Sequence, residues 1–137
     1  MRIALDALGG DFGATPNVLG AVQAAKEFGY NIILVGNEEL IKTELAKAGD
    51  YPQDKISVIH APDTIDMGAN PARECRTKKD AGIVVCARLV KEGKADAMIS
   101  AGNSGATMVA ALFGIGRIDG VERPAIASPL PTEKGPA

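Results

Sequence analysis

The chain of 137 residues is 46% apolar and 23% charged, which is the balance of a soluble globular protein with one hydrophobic core. Its formal net charge is −2 and it has three Phe, two Tyr and no Trp, so neither a basic field nor an aromatic stacking surface favours nucleic-acid binding. One histidine and two cysteines argue against a zinc site, and no other metal site is predicted. The cysteines are expected to be reduced and structural.

Two features of the sequence argue against a secreted or membrane-spanning protein. The N-terminus has one basic residue, Arg2, and lacks the apolar core of a signal peptide. The longest uncharged stretch, residues 98–116, is interrupted by Ser100, Asn103, Ser104 and several glycines and is too polar to span a bilayer. Together these features predict a cytoplasmic protein.

Strand-like and helix-like patterns alternate along the chain. Residues 2–6 form a short β-type run, and Val18, Val22 and Ala25 then recur at helical spacing. The full set of predicted strands covers 2–6, 31–35, 56–59, 95–100 and 125–128, and the predicted helices cover 17–28, 38–48, a short segment opening at Pro71, 80–92 and 104–116. Strands separated by helices pair in parallel through βαβ crossovers. The sequence therefore predicts an α/β fold with a doubly wound, mostly parallel sheet in three layers.

The first candidate for chemistry is the turn after the first strand. Asp6 and Asp11 flank the paired glycines Gly9 and Gly10, which allow a tight turn or close approach of the backbone to a ligand. Ligands of open α/β sheets bind outside the carboxyl ends of the strands, where this turn falls. The alternative is a simple glycine turn with solvated aspartates.

The second candidate is the turn at residues 100–105 (SAGNSG), which leads from the fourth strand into a helix. Asn103 or Ser104 can cap that helix, and the free N–H groups at its start attract an anion. The helix carries no charge from residue 106 to 116, so we expect it to be buried. The alternative is a capped structural helix that binds no ligand.

The third candidate is the basic segment at residues 73–80 (RECRTKKD). It carries four cations in a chain that is acidic overall, and Asp80 is expected to cap the next helix. Such a cluster could bind phosphate or receive an acidic partner. The alternative is a solvated helical face with local ion pairs.

Several familiar motifs are absent from the sequence. There is no G-x-G-x-x-G dinucleotide fingerprint, no P-loop and no G-x-S-x-G nucleophile elbow. The one histidine, His60, falls at a strand end and is interpreted as structural.

Several short segments follow one another along the chain: LDALGGD at 5–11, PAR at 71–73, KKD at 78–80, ADA at 95–97, SAGNSG at 100–105, and GRI at 116–118 with RPA at 123–125. Taken in this order, they resemble the phosphate acyltransferase family of bacterial phospholipid synthesis. Each is weak alone, and their shared order along the whole chain makes the resemblance specific.

The resemblance implies transfer of a fatty acyl group from acyl carrier protein to inorganic phosphate, giving acyl phosphate, with no cofactor. It also implies a fold related to phosphotransacetylases and isopropylmalate-type dehydrogenases, and a homodimer loosely associated with the membrane. Chains of this family are more than twice as long, so residues 1–137 are expected to be the N-terminal α/β portion, with the C-terminal half absent. Two alternatives stay open: a transferase of the same fold that uses coenzyme A, and a truncated fragment without turnover.

In the mechanism that this resemblance suggests, phosphate sits on the N–H groups at residues 103–105. Lys79, with Lys78 or Arg73, neutralises its charge, and the two aspartates of the first turn orient the cations or the glycine loop. The expected catalytic residues are Lys79, Asp80 and Asn103, and the expected phosphate- or substrate-binding residues are Asp6, Gly9, Gly10, Asp11, Arg73, Lys78, Gly102, Ser104 and Gly105.

Overall fold

The computed structural model describes residues 1–127 and the backbone of two short antiparallel strands, Pro131–Thr132 and Gly135–Pro136. Strands and helices alternate from the N-terminus, as the hydrophobic pattern predicts. The strands of the main sheet are β1 (Arg2–Asp6), β2 (Asn31–Gly36), β3 (Ile56–His60) and β4 (Ala97–Ser100), and the helices are α1 (Ala14–Phe28), α2 (Glu38–Lys47), α3 (Pro71–Thr77), α4 (Gly82–Lys91) and α5 (Ser104–Gly114).

The four strands of the main sheet are all parallel and lie in the order β3-β2-β1-β4. The chain moves outward from β1 through β2 to β3, then returns and places β4 on the other side of β1. The direction of winding therefore reverses between β1 and β4. In open α/β sheets such a reversal opens a crevice at the carboxyl ends of the two strands, which is where ligands bind.

Helices cover both faces of the sheet. On one face α1 and α2 pack against β2 through a cluster that includes Val18, Leu34 and Ile41, all fully buried. On the other face α4 packs against β1 and β2, and α3 and α5 pack over α4 through Cys75, Ala87 and Ala106, among others. The predicted three-layer α/β/α arrangement is confirmed.

Both cysteines are free and buried, Cys75 in α3 and Cys86 in α4. Burial raises the pKa of each thiol, so neither forms the thiolate that a nucleophile needs. His60 accepts the backbone N–H of Glu38 on its Nδ1 atom at 3.3 Å, which is a structural contact at the start of α2. Within the described residues every helix is too short or too polar to cross a membrane.

Two of the predicted local features are wrong. Residues 125–127 form no strand, because they lie exposed with no neighbouring strand to pair with in the described part of the chain; Ser128 lies outside the described residues. Asp80 does not cap α4: the N-cap position is Ala81, and no side chain caps this helix. Ala81 instead forms a backbone bridge with Asp63, which keeps the chain extended for one residue beyond Asp80 before the helix begins.

The expectation that α5 is buried is also wrong. Ala106 and Ala110 are the buried residues of this helix, whereas Met108 is exposed and Phe113 is 76% exposed. In the described residues α5 packs against α3 and α4, which lie on one side of it. The rest of its apolar surface faces away from the core.

Candidate functional site

The two glycine turns singled out in the sequence meet at the reversal between β1 and β4. A Cβ atom at Gly9 would lie 2.6 Å from Asp6 Oδ2 and 2.8 Å from Ser100 Oγ. A Cβ atom at Gly102 would lie 3.3 Å from the Cα atom of Gly9. A Cβ atom at Gly9 would force its neighbours to shift, and one at Gly102 would make an unusually tight contact, so glycine at both positions favours the close packing of the two turns.

A short chain of hydrogen bonds joins the two turns from within. Asp6 is 7% exposed, and its Oδ2 atom accepts the hydroxyl of Ser100 at 2.8 Å. The Oγ atom of Ser100 in turn accepts the N–H of Gly102 at 3.0 Å. Burial raises the pKa of Asp6, while hydrogen bonds from Ser100 and from the N–H groups of Leu8 and Gly9 oppose that rise. The structure therefore places Asp6 beneath the turns, where it holds them together.

The start of α4 also packs on this carboxylate. A Cβ atom at Gly82, the first residue of α4, would lie 2.5 Å from Asp6 Oδ1. The positive end of a helix favours a negative charge at such a position. This contact, like that of Ser100, joins residues far apart in sequence, and neither Ser100 nor Gly82 was among the predicted site residues. The one signal in the sequence for Ser100 is that a polar residue ends an otherwise apolar strand.

Asn103, one of the two predicted caps, caps α5, and its amide group also binds the loop that precedes α3. Its Oδ1 atom accepts the N–H of Ala106 at 3.0 Å. Its Nδ2 atom donates to three carbonyl oxygens of the preceding loop: Asp66 at 3.2 Å, Met67 at 2.9 Å and Ala69 at 3.2 Å. Both polar ends of the side chain are thus occupied within the protein, so Asn103 anchors the loop that leads into α3.

At the start of α5, the N–H groups of Ser104 and Gly105 have no acceptor among the described residues. The first N–H groups of a helix have no acceptor inside the helix. Here Asn103 takes up the next two, since its side chain accepts from Ala106 and its carbonyl oxygen accepts from Thr107 at 2.9 Å. Ser104 is exposed and can present both its N–H and its hydroxyl to a ligand. This arrangement can bind an anion.

The basic segment is divided between ion pairs and free cations. Lys78 pairs with Glu74 at 2.8 Å and donates to the Thr64 carbonyl at 3.0 Å, and the bond with Glu74 raises its pKa. The three remaining cations, Arg73, Arg76 and Lys79, follow one another at three-residue intervals along α3 and its end, are exposed, and have no carboxylate within 4.0 Å among the described residues.

The predicted roles of Lys78, Lys79 and Asp80 at the anion stay predictions, because the contacts described for these side chains are with other parts of the protein. Helix α3 begins beside the turn, where a Cβ atom at Gly105 would lie 2.6 Å from Pro71 Cγ. From there α3 runs about 9 Å along its axis, which carries its C-terminal end away from the turn.

Each of these three residues is engaged elsewhere. Lys79 lines a groove between α3 and α5 that has no described lining residue in common with the groove at the turn, and its Nζ atom is 3.5 Å from the Cys75 carbonyl. Asp80 is 3.9 Å from Arg88. In the first turn, Asp11 is exposed and has no cation within 4.0 Å among the described residues.

Another residue that the sequence did not single out for the site is Asn17. Its Nδ2 atom donates to the carbonyl oxygens of Ala7 at 3.1 Å, Gly9 at 2.8 Å and Gly13 at 3.1 Å. Asn17 lies in the first turns of α1, which begins at Ala14, three residues before the predicted start. The shape of the β1 turn is therefore fixed from both sides, by Asn17 and by Asp6.

Comparison with known proteins shows the family to which this chain belongs. The sequence profile of the family described as "Fatty acid synthesis protein" matches residues 1–137. A protein named phosphate acyltransferase from Elusimicrobium minutum is 62% identical over 135 residues, which are 98% of this chain and 40% of that protein.

Further relatives with the same name show similar coverage. Those from Desulforamulus reducens and Pelotomaculum thermopropionicum are 50% and 48% identical, over 98% of this chain and 40% and 39% of their own lengths. The chain thus spans about 40% of the length of the curated relatives it matches. It belongs to the fatty acid synthesis protein family.

Proposed function

We propose that this chain binds inorganic phosphate at the turn of residues 100–105 and serves the transfer of a fatty acyl group from acyl carrier protein to that phosphate, giving acyl phosphate. The observation that carries the proposal is the meeting of the two glycine turns at the reversal of the sheet, with the N–H groups of Ser104 and Gly105 left available. The name phosphate acyltransferase, borne by the relatives, supports the choice of phosphate as the anion.

The chemistry needs no nucleophile from the protein. An oxygen of bound phosphate attacks the carbonyl carbon of the thioester, a C–O bond forms, the C–S bond breaks, and the departing thiolate takes the proton of the phosphate. Phosphate is already anionic at neutral pH, so it can attack without a cysteine nucleophile. The burial of both cysteines is consistent with such a reaction. The protein contributes by positioning phosphate on residues 103–105 and by stabilising the developing charge.

The free cations of α3 support an acidic carrier as the acyl donor. Arg73, Arg76 and Lys79 form an exposed basic face that no carboxylate neutralises among the described residues, although the chain as a whole carries a charge of −2. Such a face attracts an acidic protein and orients its approach. In this proposal Arg73, close to the start of α3, is the cation nearest the bound phosphate, and Lys79 acts on the carrier.

The phosphate site is tested by two substitutions at Ser104, which is the first residue of α5. Proline is well tolerated at this position of a helix and removes only an N–H group that has no helical acceptor. Ser104→Ala removes the hydroxyl alone, whereas Ser104→Pro removes the hydroxyl and the N–H. We expect calorimetry to show weaker phosphate binding in Ser104→Pro than in Ser104→Ala. Equal affinity in these two variants and the parent would refute the site.

The reaction is tested by incubating the chain with phosphate and either palmitoyl-acyl carrier protein or palmitoyl-coenzyme A, then measuring acyl phosphate. We expect acyl phosphate to form from palmitoyl-acyl carrier protein but not from palmitoyl-coenzyme A. The rate with the carrier protein should be lower in Lys79→Ala than in the parent chain. Formation from coenzyme A alone would replace the proposed donor by the coenzyme. Absence of acyl phosphate with both donors would favour a fragment without turnover and overturn the proposed activity of this chain.

A further inference from the structure

We infer that the groove along the exposed side of α5 binds the hydrocarbon tail of the acyl donor, with the thioester end at residues 100–105. This inference rests on the proposed function and assigns a place to a part of the substrate that the phosphate site leaves unaccounted for.

One wall of the groove is a continuous stripe on α5. Its members recur at the spacing of one helix face and are Ser104, Thr107, Met108, Ala111 and Leu112. The opposite wall comes from residues 116–126, chiefly Ile118, Val121 and Ile126. Together the walls enclose about 540 Å³, which is within the range of pockets that hold small molecules.

The polarity of the groove changes along its length. Ser100, Gly102 and Ser104 line the end at the anion turn, and the lining beyond Thr107 is largely apolar. Among the described residues of the lining, the one that is charged is Arg117, and its Nη1 atom donates to the backbone carbonyl of Glu122 at 2.8 Å. A ligand with a polar, reacting end and a long apolar tail matches this gradient.

The groove adjoins the proposed phosphate site, and this position favours the acyl tail as the ligand of the groove. A carbonyl carbon that is attacked by phosphate at Ser104 must lie at the polar end, so its tail enters this groove directly. The apolar side chains of Ile118, Val121 and Ile126 face this groove, where they can pack on a hydrocarbon tail. The groove between α3 and α5 is smaller, about 280 Å³, has Arg76 and Lys79 in its lining, and does not reach the turn.

The test blocks the groove part of the way along. Ala111 lies about 10 Å along the α5 axis from Ser104, so Ala111→Trp places a large ring beyond the polar end. The matched control is Phe113→Trp, which puts the same ring on the same helix in the lining of the other groove. The probe is cis-parinaric acid, a long-chain fatty acid that fluoresces on direct excitation, and circular dichroism checks that each variant is folded.

We expect Ala111→Trp to weaken parinaric acid binding at least tenfold, and Phe113→Trp to leave it unchanged. Phosphate affinity should be the same in both variants and the parent, so a failure of this inference would not be confused with a failure of the phosphate site. If Ala111→Trp does not fold, Met108→Asp in the same stripe should weaken parinaric acid binding to a similar extent.

Three results would overturn the inference: no parinaric acid binding by the parent chain, unchanged binding in Ala111→Trp, or equal losses in Ala111→Trp and Phe113→Trp. Sedimentation velocity provides a fourth. If the parent chain is a dimer that parinaric acid does not dissociate, and Met108→Asp makes it a monomer, then a second copy of the chain occupies the groove.

Discussion

Asp6 shows how a residue predicted to meet substrate can act from beneath the site. The sequence places a carboxylate at the end of β1, next to two glycines, and that position suggests contact with a ligand. The structure buries the carboxylate and directs it to Ser100, to the β1 turn and to the start of α4. Its partner Ser100 lies 94 residues away along the chain, so no local pattern could reveal the pair.

The burial of Asp6 predicts a particular dependence of stability on pH. Because its pKa is raised in the folded protein, protonation favours folding, and this contribution is lost as pH rises from about 3.9, the ordinary value for aspartate, through the raised value. The free energy of unfolding of the parent chain minus that of Asp6→Asn should therefore fall from pH 4 to neutral pH. Urea denaturation of both proteins at a series of pH values measures this difference in the free energy of unfolding.

Asp96 provides the control of opposite sign. Its pKa is lowered by the hydrogen bonds from Arg2, so its contribution to stability is lost as pH falls. The free energy of unfolding of the parent chain minus that of Asp96→Asn should therefore rise with pH. The rise should be small, because the ion pair of Arg2 and Asp96 is exposed. A difference for Asp6→Asn that rises with pH would contradict the conclusion that burial dominates the titration of Asp6.

Asn103 combines two roles that can be separated by substitution. Asn103→Ala removes both the cap of α5 and the bonds to the loop of residues 66–69, and should cost about 2 to 3 kcal/mol of unfolding free energy. Asn103→Asp keeps an acceptor for the cap but places a negatively charged oxygen against the three loop carbonyls, so it should break the contacts with the loop while α5 stays capped.

Limited proteolysis distinguishes the two roles of Asn103 directly. Both variants should be cleaved faster than the parent chain in the loop of residues 66–69, because both lack the Nδ2 donor. Cleavage of Asn103→Asp at the rate of the parent would show that the loop does not depend on this anchor. The cap could be predicted from the sequence, since asparagine before a helical run is a local signal. The anchor could not, because its partners lie 34 to 37 residues away.

The positions of individual strands and helices depend mainly on local sequence, and local patterns predicted them. The four strands of the main sheet and the five helices lie where periodicity, caps and glycine stops placed them, with ends that differ by a few residues. The errors arise from pairing between distant segments. The Asp63–Ala81 bridge displaces the start of α4, and residues 125–127 lack a partner strand among the described residues.

Packing between helices gives opposite predictions for two glycines. Gly20 lies within α1, and a Cβ atom added there would have no neighbour within 4 Å among the described residues, so Gly20→Ala should stabilise the protein by about 0.5 to 1 kcal/mol through helix propensity. Gly114 closes α5, and a Cβ atom there would lie 2.6 Å from the Cβ atom of Ala87 in α4. Gly114→Ala should therefore destabilise it by about 1 to 3 kcal/mol.

Urea denaturation of the two variants under one set of conditions checks this pair. Each is a glycine-to-alanine change in a helix, so the difference in sign isolates the contact between α4 and α5. A stabilising effect of Gly114→Ala would mean that these helices separate easily, and that the surface of α5 is less firmly positioned than the proposed groove requires.

At the scale of the whole molecule, the site is a product of strand order. The sequence indicates two glycine turns some 90 residues apart, and nothing local shows that they meet. They meet because the chain returns from β3 to the far side of β1, which brings the ends of β1 and β4 together. Strand order is settled by the packing of helices on both faces, which no single segment encodes.

The same topology predicts that phosphate stabilises the whole fold. If phosphate binds where the two turns meet, it holds together segments that separate on unfolding, and phosphate at ten times its dissociation constant should add about 1.4 kcal/mol to the free energy of unfolding. The midpoint of thermal denaturation should then rise by several degrees. Sodium chloride at equal ionic strength is the control, because screening of surface charges would act in both salts.

Gly9→Ala connects that stabilisation to the meeting of the turns. Its new Cβ atom would press on Asp6 and Ser100, so this variant should melt earlier and also gain less from phosphate than the parent chain does. Gly13→Ala cannot serve as its control because the positive φ of Gly13 strains any side chain, but Gly68→Ala can, since Gly68 has open space around it. An equal gain from phosphate in Gly9→Ala and Gly68→Ala would place the anion away from the reversal of the sheet, since only a ligand bound between the two turns depends on their close approach.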